Sequence, residues 1–181
     1  MSERIVVVSG TLSRPSKTTV LGRAIAEAVR EYRDGEISVI EIAQLAEEIG
    51  RSLILGAPTE PLRAAIAEVE NADVLVAVSP VFKGGYSGLF KHFFDLVDPY
   101  ALTNRPVILG ASGGSVRHSL VVDYELRPLF TYLNAAVSPV GVFATSDDFA
   151  DGAIADRGLL ARIDRAAVSL AVHTGLERAV T

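Results

Sequence analysis

The chain contains no cysteine and no tryptophan, one methionine and three histidines among 181 residues. The missing cysteines exclude disulfides, a thiolate nucleophile and thiolate metal sites, and give no sign of an oxidising compartment. No run approaches the roughly 18 apolar residues of a membrane span. The opening MSERIVVV joins charges to a short strand-like run, not to the longer apolar core of a secretory signal. Cationic tracts are missing too. With a formal net charge of −5, nucleic acid is not the expected partner. A cytoplasmic location, with no membrane association, fits these absences.

What remains is 49% apolar and 22% charged, the balance of a globular protein with a sizeable core. The length suits a single domain, residues 1–181. Five apolar runs have strand character: Ile5–Val8, Ile37–Ile42, Val74–Val78, Val107–Leu109 and Val137–Phe143. Between and after them the apolar residues recur with helical spacing. The first set is Leu21, Ile25, Ala28, Val29 and Tyr32; the second, after Pro58 and Pro61, is Leu62, Ile66 and Val69. Leu89, Phe90, Phe93, Phe94 and Val97 form the third, Leu120, Leu126, Leu129, Phe130 and Leu133 the fourth, and Leu160, Ile163, Ala167, Leu170 and Ala171 the last. Alternating strands and helices predict an α/β, flavodoxin-like doubly wound fold: a five-stranded parallel sheet in the order 2-1-3-4-5 with helices on both faces. In such sheets ligands lie beyond the carboxyl ends of the strands at the switch in strand order, here among the loops after strands one, three and four.

The loop after strand one reads Ser9-Gly-Thr-Leu-Ser-Arg-Pro-Ser-Lys-Thr-Thr19 and carries six hydroxyls, Arg14 and Lys17. Hydroxyls, free backbone N–H groups and a helix dipole together suit a phosphate; an ordinary turn with Ser and Thr caps fits the same residues. It is neither a Walker A loop nor a G-x-G-x-x-G fingerprint. The loop after strand three, Ser79–Gly88, groups Phe82, Lys83 and Tyr86 among glycines, which suits a flat anionic ligand; Ser87 stands where it would cap the next helix. The loop after strand four, Gly110–His118, offers paired glycines, Ser112, Ser115 and His118. It also satisfies G-x-S-x-G, so a serine hydrolase using Ser112, Asp147 or Asp148, and His173 is a weaker alternative, lacking an oxyanion loop. The acidic stretch Ala144–Gly158 reads as a solvated loop with capping residues. In the fourth helix Pro128 interrupts the pattern and the spacing slips by one residue between Leu120 and Leu126. A plain kink or a π-bulge near Asp123–Tyr124 accounts for that slip.

Three segments together resemble the NAD(P)H-dependent FMN reductases. SGTLSRPSKT is similar to their GSxRxxSxS/T phosphate loop, SPVFKGGYSGLFKHFFDL to PVYKxxYSGxLKxxxDL, and ASGGSVRHSLVVDYELRPLF to TGGSxxHxLxxDYxLRPxL. The match spans residues 4 to 143 and looks closest to reductases of two-component sulfonate monooxygenase systems. Phe82 replaces a usual Tyr, the basic residue of the first loop is shifted, and Tyr124 matches the alkanesulfonate type. The resemblance implies FMN, with NADPH or NADH as co-substrate. It implies Ser9, Arg14, Ser16, Lys17 and Thr18 at the FMN phosphate, and Pro80, Val81, Phe82 and Lys83 along the ring and ribityl chain. Ser112, Gly113, Gly114 and Ser115 would meet the pyrimidine edge, with His118 close by and no catalytic side chain required. It further implies a homodimer or homotetramer joined through the fourth helix, with Tyr124 in a π-helical insertion; Phe90 and Phe94 would belong to core or interface. A flavin-dependent monooxygenase is the implied partner. An FMN-retaining quinone, azo or metal-ion reductase and a flavodoxin-like electron carrier are the alternatives.

Overall fold

Strand β1 (Glu3–Ser9) is apolar at every position from Ile5 to Val8, because both of its faces are covered. The computed structural model describes residues 2–173. Strands β2 (Gly35–Glu41) and β3 (Val74–Pro80) pair with it in parallel, β4 (Pro106–Gly113) pairs with β3 and β5 (Ala136–Val137) with β4, so the sheet runs β2-β1-β3-β4-β5, the expected order. Side chains alternate between the faces. Val6, Val8, Leu75 and Ala77 join one core beneath helices α2 (Ala46–Leu55), α3 (Glu60–Glu70) and α4 (Gly88–Asp95). Ile5, Val7, Val74, Val76 and Val78 join the other beneath α1 (Lys17–Arg30) and α6 (Arg157–His173). A Cβ at Gly22 would lie 2.7 Å from Val7 and 2.8 Å from Val78, so glycine lets α1 settle close onto the sheet.

Two expectations are corrected and one open alternative is settled. The fifth run is not one strand: β5 (Ala136–Val137) pairs with the start of β4 and β6 (Val142–Thr145) with its end. Pro139 between them has no N–H to give to a ladder. The carbonyls freed by the break are met by arginines, Ser138 by Arg127 Nη1 at 3.0 Å and Gly141 by Arg162 Nε at 2.7 Å. Helix α2 was not expected; only Ile49 and Ser52 of it are buried, too few to print a periodic stripe. Phe90 and Phe94 are fully buried and pack on each other and on Phe130, so they belong to the core.

The slipped spacing in the fourth helical segment is a π-helix, Val122–Leu126, leading into α5 (Arg127–Tyr132). The Arg127 N–H donates to the Val122 carbonyl five residues back, the wide-turn bond that defines it. Val122, Leu126 and Phe130 stay in the core while Tyr124 is 72% exposed.

Candidate functional site

The carboxyl ends of β1, β3 and β4 are stitched together by bonds between their loops. Gly10 N–H donates to the Val78 carbonyl at 2.8 Å and Val81 N–H to the Ser112 carbonyl at 2.8 Å. The Ser87 hydroxyl donates to the Gly10 carbonyl at 2.8 Å, and Ser87 N–H donates to Ser79 Oγ at 3.1 Å. Ser87 does stand at the N-cap of α4, yet its hydroxyl ties two loops instead of capping. Thr18 Oγ1 and Ser112 Oγ share a hydrogen bond of 2.7 Å. The three loops thus form one wall.

At the first loop, Ser16 caps α1 by accepting from Thr19 N–H at 3.1 Å. The N–H groups of Lys17 and Thr18, first in the helix, have no partner inside it. Ser9 is fully buried and its hydroxyl meets Thr19 Oγ1 at 2.9 Å. Thr19 in turn donates to Glu41 Oε1 at 3.0 Å, so the proton between Ser9 and Thr19 comes from Ser9. Glu41 Oε2 also accepts from Arg14 Nη2 at 2.5 Å and Gln44 Nε2 at 2.8 Å. Gln44 foremost, then Thr19 and Arg14, hold the Glu41 carboxyl below its usual range against an opposing push from burial. Lys17 leaves this cluster: its Nζ donates to the Ser146 carbonyl at 3.0 Å and lies 5.6 Å from the centre of the Phe149 ring.

Sequence reasoning missed Glu41 and Phe149. Glu41 ends β2, directly opposite Ser9 in the parallel register, so the expected strand order already carried its signal. Phe149 had none. The acidic stretch that holds it is more ordered than a solvated loop: Thr145 and Asp148 form a capping box, and β7 (Phe149–Ala150) pairs with β8 (Ala153–Ile154). Asp156 Oδ1 accepts from Leu159 N–H at 2.7 Å in the first turn of α6, so its carboxylate caps that helix.

Lys17, Pro80, Val81, Ser112, Gly113, Gly114 and Phe149 line a cleft of ≈ 200 Å³ with Thr145 and Ser146. At one side Phe82 and Gly85 exchange both backbone bonds, at 2.9 and 3.1 Å, around a two-residue turn. Lys83 (φ 51°) and Gly84 (φ 88°) both have positive φ, the type I′ pattern that favours Asn-Gly. Phe82 and Lys83 are therefore held out in solvent. At the other side a Cβ on Gly114 would meet nothing, whereas one on Gly113 would lie 3.2 Å from Phe143 and 3.4 Å from His118. Ser115 caps the turn Val116–His118 by accepting from Arg117 N–H at 3.4 Å. His118 and Tyr124 line a second cleft of ≈ 330 Å³ with Gly84 and Arg117. A larger groove of ≈ 610 Å³ runs on between α4 and α5 past Tyr86, Tyr124 and Tyr132.

The hydrolase alternative finds no such assembly among the described residues. The Ser112 hydroxyl is paired with Thr18, and Asp148 is held by Thr145 N–H and Oγ1; the His173 side chain lies outside the described residues. No described helix is long and apolar enough to cross a membrane.

The donor set fits a phosphomonoester at the first loop and a flat ring beside Pro80–Phe82 and Gly113–Gly114. Residues 3–150 match the family model described as NADPH-dependent FMN reductase. The chain is 42% identical over 164 residues to the NADH-dependent FMN reductase SfnF of Pseudomonas fluorescens, covering 91% of this chain and 88% of that protein. It is equally similar, with the same coverage, to an FMN reductase (NADPH) of Pseudomonas aeruginosa. An oxidoreductase structure from Corynebacterium diphtheriae superposes with a TM-score of 0.87 at 39% identity, covering 97% of this chain and 98% of that one.

Proposed function

We propose, from the premise that this chain belongs to the NADPH-dependent FMN reductase family, that it reduces FMN with a nicotinamide nucleotide and passes the reduced flavin to a partner monooxygenase. The observation that carries the reading is the joining of three loops into one wall, with phosphate donors at one end and a flat cleft at the other. FMN supplies the chemistry, accepting a hydride, two electrons with one hydrogen, from the nicotinamide while water supplies a proton.

The residues bind and orient. Lys17 and Thr18 N–H groups and the Arg14 side chain take the phosphate, with Ser9, Ser16 and Thr18 shaping its seat. Pro80, Val81 and Phe82 back the ring, and Lys83 adds a cation at its rim. Ser112, Gly113, Gly114 and Ser115 present backbone donors to its polar edge beside His118. No side chain acts as an acid or base. The second cleft, open next to the first, is the space for the nicotinamide, and relatives named for NADH and for NADPH leave both donors in view.

A second copy of the chain is the partner for the groove at the π-helix, where Tyr124 and Tyr132 stand 72% and 75% exposed. Light scattering at micromolar concentration checks for a dimer or tetramer. The cytoplasm is the compartment this reading takes. The sulfonate class of the monooxygenase rests on the sequence resemblance alone.

The decisive assay follows oxidation of NADH and of NADPH, each with and without added FMN and with a quinone. Turnover that needs added FMN is the expected result. Quinone reduction without added flavin, by protein that stays yellow through dialysis, would replace it with a flavin-retaining reductase.

A further inference from the structure

A carboxylate is an odd neighbour for a phosphate seat. Glu41 is 15% exposed and is fixed by three donors, Arg14, Thr19 and Gln44. Among the described residues Glu41 is the only hydrogen-bond partner of Arg14, a loop side chain that is 59% exposed. The donors it uses matter as much as its charge. The Thr19 proton goes to the carboxylate and the Ser9 proton goes to Thr19, so two hydroxyls of the loop are turned away from an incoming anion. Lys17 Nζ is turned toward Ser146, so Arg14 brings the seat its charge and Glu41 cancels it. A phosphomonoester near neutral pH carries between about −1.5 and −2, so the seat is under-charged for its ligand.

We propose that Glu41 sets how briefly the site holds FMN: its carboxylate competes with the flavin phosphate for Arg14 and repels it, so that the flavin is released after reduction. The inference rests on the phosphate-loop reading above and deepens it, because a protein that hands over reduced flavin needs a finite residence time. A carboxylate held by its own strand, and not by the ligand, supplies a repulsion that is present in every turnover. Riboflavin, which has the same ring and no phosphate, does not feel it.

The experiment titrates FMN and riboflavin into the full chain by flavin fluorescence, with stopped-flow dissociation rates, for wild type, Glu41→Gln, Glu41→Ala and Arg14→Ala. Glu41→Gln keeps the shape and most hydrogen bonds and removes the charge. FMN is expected to bind about tenfold tighter, chiefly through slower release, the size of one unit charge at a partly exposed site. Riboflavin affinity stays as in wild type, which also reports that the variant is folded. Glu41→Ala gives tightening in the same direction by removing the carboxylate altogether. Unchanged or weaker FMN binding by variants that still bind riboflavin overturns the proposal, as does equal tightening of both flavins. FMN binding by wild type that Arg14→Ala leaves untouched overturns the phosphate-loop reading instead.

Discussion

The two ends of the site are built on different terms. At the proposed phosphate end Ser9, Thr19 and Glu41 form a chain of hydrogen bonds between two adjacent strands and a helix, and Arg14 and Gln44 close onto Glu41 from the solvent side. At the ring end Phe82, Lys83 and Gly114 stand exposed, and what fixes them is backbone geometry: a two-residue turn and a pair of glycines. One end is specified by side chains that answer one another. The other is a shaped opening that stands exposed to solvent. A polar network gives affinity through charge and is sensitive to single substitutions; a turn gives shape and tolerates them.

Three substitutions or conditions separate the ends. Arg14→Ala removes the charged donor of the phosphate end, and FMN affinity should fall between about tenfold and a hundredfold, as for loss of a charge-assisted bond. Riboflavin affinity should hold. Equal losses for both flavins would mean that the two ends are not independent. At the ring end Lys83→Asn places a residue that accepts positive φ in the turn, and the fold should gain about 0.5–1 kcal/mol in a denaturant titration. A loss of stability there would show that the lysine side chain, not the turn, is what the position requires.

The smallest effect is the acid response. Glu41 and Asp73 both titrate below their usual values of 4.5 and 3.8 in the fold, Glu41 chiefly through Gln44 and Asp73 chiefly through the Arg4 N–H. Groups depressed in this way stabilise the fold above their unfolded values, and that contribution is lost as pH falls through the folded ones. Thermal stability should therefore decline as pH drops below about 4.5, and the decline should be shallower in Glu41→Gln.

Much of the fold was legible because strands buried on both faces cannot hide. Ile5–Val8 and Val74–Val78 are continuous apolar runs, and their alternation with helical stripes admits few topologies. The run Val137–Phe143 misled because its apolar content outweighed Pro139 and Gly141, the residues that break it. Helix α2 buries so little that periodicity had nothing to register. The three loops were legible as chemistry because each is contiguous in sequence. Glu41 was not, since it reaches the site from another strand, and only register places it beside Ser9. The same limit hid Phe149, which depends on where Lys17 extends. The π-helix was readable from a spacing slip and a proline, since both record a residue that the helical phase does not count.

That uncounted residue has a consequence for how such a surface arises. A single insertion into an α-helix turns everything after it by about 100°, which would swing Leu126 and Phe130 out of the core. Confined to one wide turn, the extra residue is extruded and both flanks keep their phase, as the burial of Val122 and Phe130 on either side of exposed Tyr124 records. A lineage can therefore add an exposed aromatic side chain beside an inherited core in one genetic step.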